Sequence, residues 1–187
     1  MKTITHYSIL KTTALGNLLL TADEKHLTGV YFEDCDHVPA SRMRWLLNPE
    51  HEVLVQTGAQ LKEYFKGTRT SFSIPLGPEG TDFQERVWQE IALIPFGQAI
   101  TYSELATRVS APDAIRAAGT ATGRNPISIV VPCHRVIGKD GSLTGYAGGL
   151  ERKRHLLALE QRNIVLTAMS AGAQFALPQS NRASNPA

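Results

Sequence analysis

Cys133 is the side chain of this sequence best suited to covalent chemistry. It follows the apolar run Ile127-Ser128-Ile129-Val130-Val131 and Pro132, and His134 and Arg135 follow it. A thiol attacks carbon only as thiolate, so it needs a base or a positive neighbour. His134 is the adjacent base. Successive side chains of an extended segment point to opposite faces, so a bridging water joins sulfur and imidazole more easily than direct contact does. Glu160 lies among Leu156, Leu157 and Leu159. It is either a solvated carboxylate or the acid that fixes the imidazole tautomer in a Cys–His–acid relay. A buried Cys beside a His is more often structural than catalytic, and the residues alone leave both readings open.

A second group could bind rather than react. Residues 114–123 carry small side chains, Ala114, Ala117, Ala118, Gly119 and Ala121, with Arg116 as the one long cation. A helix without bulk approaches another surface closely. That surface is a neighbouring helix or a nucleic-acid groove, where Arg116 would pair with phosphate or fill a gap in a base stack. Asn125-Pro126 closes the segment as a turn, and the Asn amide is also able to lock nearby backbone.

These residues need a scaffold, and the patterning implies an α+β one in two parts. Residues 1–76 read as a small antiparallel sheet plus a helix. HYSIL, GNLLLTAD and LTGVYFE are strands, 34–49 a loop with a short helix, about 51–65 an amphipathic helix stopped by Gly67, and SFSIPL a short edge strand. The Gly/Pro-rich stretch 76–80 is the boundary. Residues 81–165 are mostly helical. Thr81…Gln84 and Thr101…Glu104 are capping boxes that start two helices. Pro112 suits the first position of a third, which runs to about Thr122, and the short pair reads as helix-turn-helix. ISIVV is a buried strand and LERKRHLLALE a final helix. Residues 166–187, rich in Ala, Ser, Asn, Gln and Pro, read as a mobile tail.

Composition narrows the classes. The 187 residues are 42% hydrophobic and 19% charged, enough to bury a core. Nineteen Lys and Arg against 17 Asp and Glu exclude a histone-like binder but permit a local basic face. Two cysteines exclude a disulfide scaffold. No run approaches the ~18 apolar residues of a membrane span, and the first residues show no long apolar signal core, so a cytoplasmic location is expected. His6, His26, Cys35 and His37 match no zinc spacing, and neither metal nor cofactor is expected.

Five blocks carry a family resemblance: PCHRVIG (132–138), GTDFQERVW (80–88), IPFGQAITYSELA (94–106), IRAAGTATGRNP (115–126) and GYAGGLERKRHLLALE (145–160). LKEYFKG (61–67) joins them more loosely. In order and spacing they resemble the O6-alkylguanine-DNA alkyltransferases, the methylated-DNA–protein-cysteine methyltransferases. The resemblance implies a ribonuclease-H-like N-terminal part and a winged-helix-like DNA-binding part. It implies that Cys133 takes a methyl or larger alkyl group from guanine O6, or from thymine O4, after the nucleotide is flipped from duplex DNA. His134 then takes the thiol proton through a water, and Glu160 orients His134. Tyr102 turns the 3′ phosphate and donates to guanine N3. Arg116 enters the stack, with Ala117, Arg124 and Arg135 completing the DNA-contacting set. Asn125 braces the hinge beside the substrate, the loop of Gly145, Tyr146 and Ala147 donates to O6, and the carbonyls of Cys133 and Val136 accept from the guanine amine. Ala147 stands where some members carry Ser. The thioether product is inert to water, so one turnover per molecule is expected, from a monomer. The rivals are a winged-helix or lesion-sensing DNA binder without transfer, and a Cys–His hydrolase that turns over.

Overall fold

Alternation of apolar residues sets up the sheet. The structure, a computed structural model, describes residues 4–11 and 15–173. Strands β1 (His6–Leu10), β2 (Leu18–Ala22) and β3 (Leu27–Phe32) pair antiparallel in sequence. A strand that sequence periodicity does not reveal, β4 (Leu46–Leu47), adds parallel to β1, giving the order β3-β2-β1-β4. Every side chain of central β2 is buried. Leu18 and Leu20 face helix α1 (Glu52–Lys66), which contributes Leu54 and Leu61 to the core. Trp45 stands against Tyr7 and Tyr31 on the other face. Gly67 ends α1 at φ 79°, a left-handed cap that Gly adopts without steric cost.

The free edge of β3 joins the two halves of the chain. Leu27 N–H donates to Pro75 O and Gly77 N–H to Leu27 O. SFSIPL is therefore no strand; it makes a single bridge, Leu27 to Leu76. Further along the edge, Val30 N–H donates to Pro126 O and Ser128 N–H to Val30 O. A sheet edge covered this way is closed to stray pairing, and it anchors the segment leading to Cys133.

The C-terminal half is helical. Both expected capping boxes form, at Thr81 before α2 (Asp82–Ala92) and at Thr101 before α3 (Tyr102–Arg108). The turn after α3 passes through Ser110 at φ 57°, and Ala114 N–H closes it onto Ala111 O. That closure puts Pro112 inside the turn, so α4 begins at Ile115 and ends at Gly123. Trp88 Nε1 donates to Ala121 O at 2.9 Å, fastening α4 to α2. Strands β5 (Ile100–Thr101) and β6 (Val136–Ile137) pair parallel. The last helix, α5 (Leu150–Ala173), runs eight residues past 165, so 166–173 are helical rather than a tail, while 174–187 lie outside the described residues.

Candidate active site

A tight turn carries the nucleophile. ISIVV is not a strand: Ile129 has φ 73°, and Val130 N–H turns back to Ser128 O at 2.9 Å. Positive φ at a buried β-branched residue is strained and persists only where surrounding contacts fix it. Here the Asn125 amide supplies them, with Nδ2 donating to Val131 O at 2.8 Å and Oδ1 accepting from Ile127 N–H at 3.0 Å. Cys133–Arg135 then form one 3₁₀ turn, not the extended segment the sequence implied. Three residues per turn fan the side chains about 120° apart. β6 follows at once and pairs with β5, which ends where Tyr102 starts α3. The short ladder thus holds Cys133 and Tyr102 in fixed relation.

Glu160 is fully buried and serves as the hub. Its Oε1 accepts from His134 Nε2 at 2.8 Å, Arg135 Nη2 at 2.9 Å and Tyr64 Oη at 2.7 Å. Its Oε2 accepts from Gly97 N–H at 2.8 Å and Arg135 Nε at 3.0 Å. Burial pushes this carboxyl up, but the bonds and charges of His134 and Arg135 outweigh it and hold the group at about 2. Burial lowers His134 despite the opposing carboxylate, with the Arg135 and Lys153 charges helping, so the imidazole is neutral. Its Nε2–H is committed to Glu160. Its Nδ1 is buried with no hydrogen-bond partner among the described residues, which leaves a lone pair free to accept a proton.

Cys133 is 3% exposed, and no direct hydrogen bond joins its sulfur to the imidazole. Burial raises the thiol, against the Asn125 amide and the Lys153 charge, so it rests protonated at neutral pH. Lys153, also fully buried, donates to Val136 O at 2.6 Å and Thr144 O at 2.8 Å. Burial brings its ammonium down to about 8. Half-buried Tyr102 donates to Thr144 O at 3.0 Å, and its ring lies beneath that ammonium at 5.8 Å. Gly145 follows at φ 46°. The amides of Gly145, Tyr146 and Ala147 donate to no group among the described residues. The Tyr146 hydroxyl is likewise buried without a partner there.

The expected DNA-contacting residues divide. Arg116 and Ala117, exposed on α4, and Arg124, exposed just after it, border an open groove of about 610 Å³ shared with the start of α2. Ala118 and Ala121 are buried on the opposite face, and a side chain at Gly119 would reach Tyr102, so these small residues serve helix packing. Arg135 does not belong to this face. It is 5% exposed, bound to Glu160 and to Ile94 O, because only a guanidinium offers enough donors to satisfy a buried carboxylate and a carbonyl together. Asn125 divides its amide between the backbone and the Cys133 thiol, so it braces the hinge beside the nucleophile. The carbonyls of Cys133 and Val136 already accept from Val136 N–H and Lys153. Each keeps one lone pair.

Sequence reasoning missed Tyr64, Lys153 and the Gly97 amide. Tyr64 falls within the amphipathic helix of about 51–65 and Lys153 within the final helix, and the sequence singles out neither. Only the LKEYFKG block and the α5 spacing, with Lys153 seven residues before Glu160, hinted at more. Among the described residues no group of three or more His, Cys, Asp or Glu could hold a metal, and no helix is long and apolar enough to cross a membrane.

Comparison with known proteins agrees with this geometry. Residues 5–78 match the family profile described as 6-O-methylguanine DNA methyltransferase, ribonuclease-like domain, and residues 82–162 its DNA binding domain. A methylated-DNA–protein-cysteine methyltransferase of Mycobacterium leprae is 47% identical over 156 residues, covering 83% of this chain and 92% of its own. One from Methanosarcina barkeri is 43% identical over 162 residues, covering 85% and 99%. The crystal structure of the Mycobacterium tuberculosis O6-methylguanine methyltransferase superposes with a TM-score of 0.79 at 40% identity, covering 88% and 99%. A structure of that organism's enzyme in complex with DNA gives 0.78 at 42%, covering 84% and 94%. With both halves matched in order and relatives this similar over nearly their whole length, the chain belongs to the methylated-DNA–protein-cysteine methyltransferase family.

Proposed function

We propose that this protein repairs alkylated duplex DNA by moving the alkyl group from guanine O6 onto its own Cys133. One observation carries the residue assignment. A neutral imidazole beside the thiol has Nε2 tied to a buried carboxylate and a vacant Nδ1. That is the arrangement a proton acceptor needs, and a thiol raised by burial needs an acceptor.

In the step itself the thiol proton passes through a water to His134 Nδ1. The sulfur pair forms a bond to the alkyl carbon, the bond from that carbon to O6 breaks, and its electron pair stays on guanine. Return of the proton to the purine completes the balance: thiol and O6-alkylguanine become thioether and guanine. Charge on the departing base requires waiting donors. The free amides of Gly145, Tyr146 and Ala147 and the Tyr102 phenol are suited to it. Tyr102 now donates to Thr144 O, so it must release that carbonyl to reach the base. A thioether does not hydrolyse, so each molecule acts once.

Arg116 enters the space the flipped nucleotide leaves, and Ala117 and Arg124 track the backbone. Residues 1–76 and 81–165 form the two working units of a cytoplasmic monomer. Intact-protein mass spectrometry after incubation with an O6-methylguanine duplex tests the reading. A gain of one methyl on Cys133, absent in Cys133→Ser, is expected. No gain means a lesion sensor, and free product without a gain means a hydrolase.

A further inference from the structure

Helix α1 belongs to the N-terminal half, yet one of its side chains ends inside the relay. Tyr64 is fully buried, with the rings of Phe65, Phe72 and Phe96 around it at 5.6, 5.6 and 6.0 Å. An apolar pocket of this kind would suit Phe as well, so the hydroxyl calls for an explanation. It donates to Glu160 Oε1 at 2.7 Å and lies 3.5 Å from His134 Nε2, which donates to the same oxygen.

We infer that Tyr64 is a positioning residue of the relay, whose phenol shares Glu160 Oε1 with His134 and so tempers the pull of that carboxylate on the imidazole. The inference rests on the alkyl transfer proposed above. An oxygen that already accepts a short bond offers less negative potential to the next donor. The groups facing His134 are Glu160 and Lys153 from α5, Arg135 from its own turn, Cys133 beside it, and Tyr64 from α1. Glu160 alone among these favours the imidazolium. Without the phenol, Oε1 would be left to His134 and Arg135, and its stronger pull would keep the ring protonated to higher pH and fill the Nδ1 lone pair that the thiol needs. Burial, and then the Glu160 charge, holds the phenol well above 10, so it stays a donor throughout the working range. The hydroxyl also bars rotation of the carboxylate away from Gly97 and Arg135. The N-terminal half thus tunes the chemistry as well as packing beneath it.

The test uses the full chain with free O6-benzylguanine, which needs no nucleotide flipping. In Tyr64→Phe the acid limb of the pH–rate profile should move up by about half a unit, with the transfer slowed at pH 6 and the final yield still one benzyl group per chain. A purely structural role would lower the melting temperature and leave the limb in place, and that result overturns the inference. Should Tyr64→Phe fail to fold, fluorotyrosine placed at position 64 alone strengthens the donor while keeping the hydroxyl. The limb should then move down, and an unmoved limb again overturns the inference. A parent protein that takes up no benzyl group overturns both this inference and the function beneath it. A reactive parent matched by an identical variant overturns only the role of Tyr64.

Discussion

At Glu160, Tyr64, Gly97, His134 and Arg135 all donate to a carboxylate with no exposed surface. At Arg116, on the outer face of α4, a guanidinium stands exposed, with no ion pair among the described residues. The function proposed above assigns both charged groups to one reaction, but they are stabilised in opposite ways. The carboxylate is preorganised by the fold, so whatever disturbs it disturbs folding as well. The guanidinium has no charged partner among the described residues, so on the proposed function its loss is felt only when duplex DNA is present. The distinction separates chemistry from flipping, and measurements on a free base and on a duplex can read the two apart.

The largest effect should come from Glu160→Ala. It leaves the His134 N–H and the Tyr64 hydroxyl buried without their acceptor and the Arg135 guanidinium with Ile94 O alone, and breaking a buried pair from one side costs about 3–5 kcal/mol. Urea denaturation should show that loss, and transfer to Cys133 should fail on free base and duplex alike. A loss below about 1 kcal/mol would mean that the hub is not what holds the turn.

Acid should reproduce much of this without mutation. Glu160 is held at about 2 against an ordinary 4.5, so its contribution is complete above 4.5 and is lost as pH falls towards 2. By linkage that amounts to about 3 kcal/mol. His134 is also lowered, from 6.5, so the unfolded chain binds the extra proton first and stability already declines below 6.5. Urea midpoints should fall from pH 7 to 5.5 and again from 4.5 to 3, and Glu160→Gln should flatten the segment below 4.5. A midpoint constant across that range would contradict both assignments.

Arg116→Ala comes next. Transfer from an O6-methylguanine duplex should slow by about tenfold or more, while free O6-benzylguanine reacts at the parent rate. Stability should change within about 0.5 kcal/mol, as for an exposed residue. Equal slowing on both substrates would place Arg116 in the chemistry and erase the contrast with Glu160.

The two regions also differ in how far the sequence exposed them. The α4 face was legible, because small residues at helical spacing and a lone Arg state both the element and its exposure. The capping boxes before α2 and α3 were legible for the same reason: a hydroxyl and a carboxamide or carboxylate three residues apart satisfy local donors. The hub was legible only in part. The resemblance supplied His134 and Glu160, but Arg135 was expected on DNA and Tyr64 in a plain apolar stripe. Their partners lie 25 and 96 residues away, and periodicity reports which face is buried, not what is met there. The 127–131 segment misled for a related reason. Its apolar run suits a strand, yet the Asn125 amide and the β3 edge take its backbone groups and bend it through Ile129. The two-residue β4 is too short to show a period at all.

The smallest expected effect separates two caps of one design. Thr81→Ala and Thr101→Ala each remove a hydroxyl that accepts from the third residue's N–H, and each should cost about 1 kcal/mol. Their sites differ. Thr81 opens α2 beside the groove under Arg116, whereas Thr101 lies in β5, paired with Ile137, immediately before Tyr102. Loosening the first should leave the free-base reaction unchanged. Loosening the second lets the start of α3 shift, and with it the phenol that must leave Thr144 O for the purine, so Thr101→Ala should slow benzyl transfer by about two- to fivefold at matched stability. If both variants react with O6-benzylguanine at the parent rate, the β5–β6 ladder is a fastening of the fold and does not set the position of Tyr102.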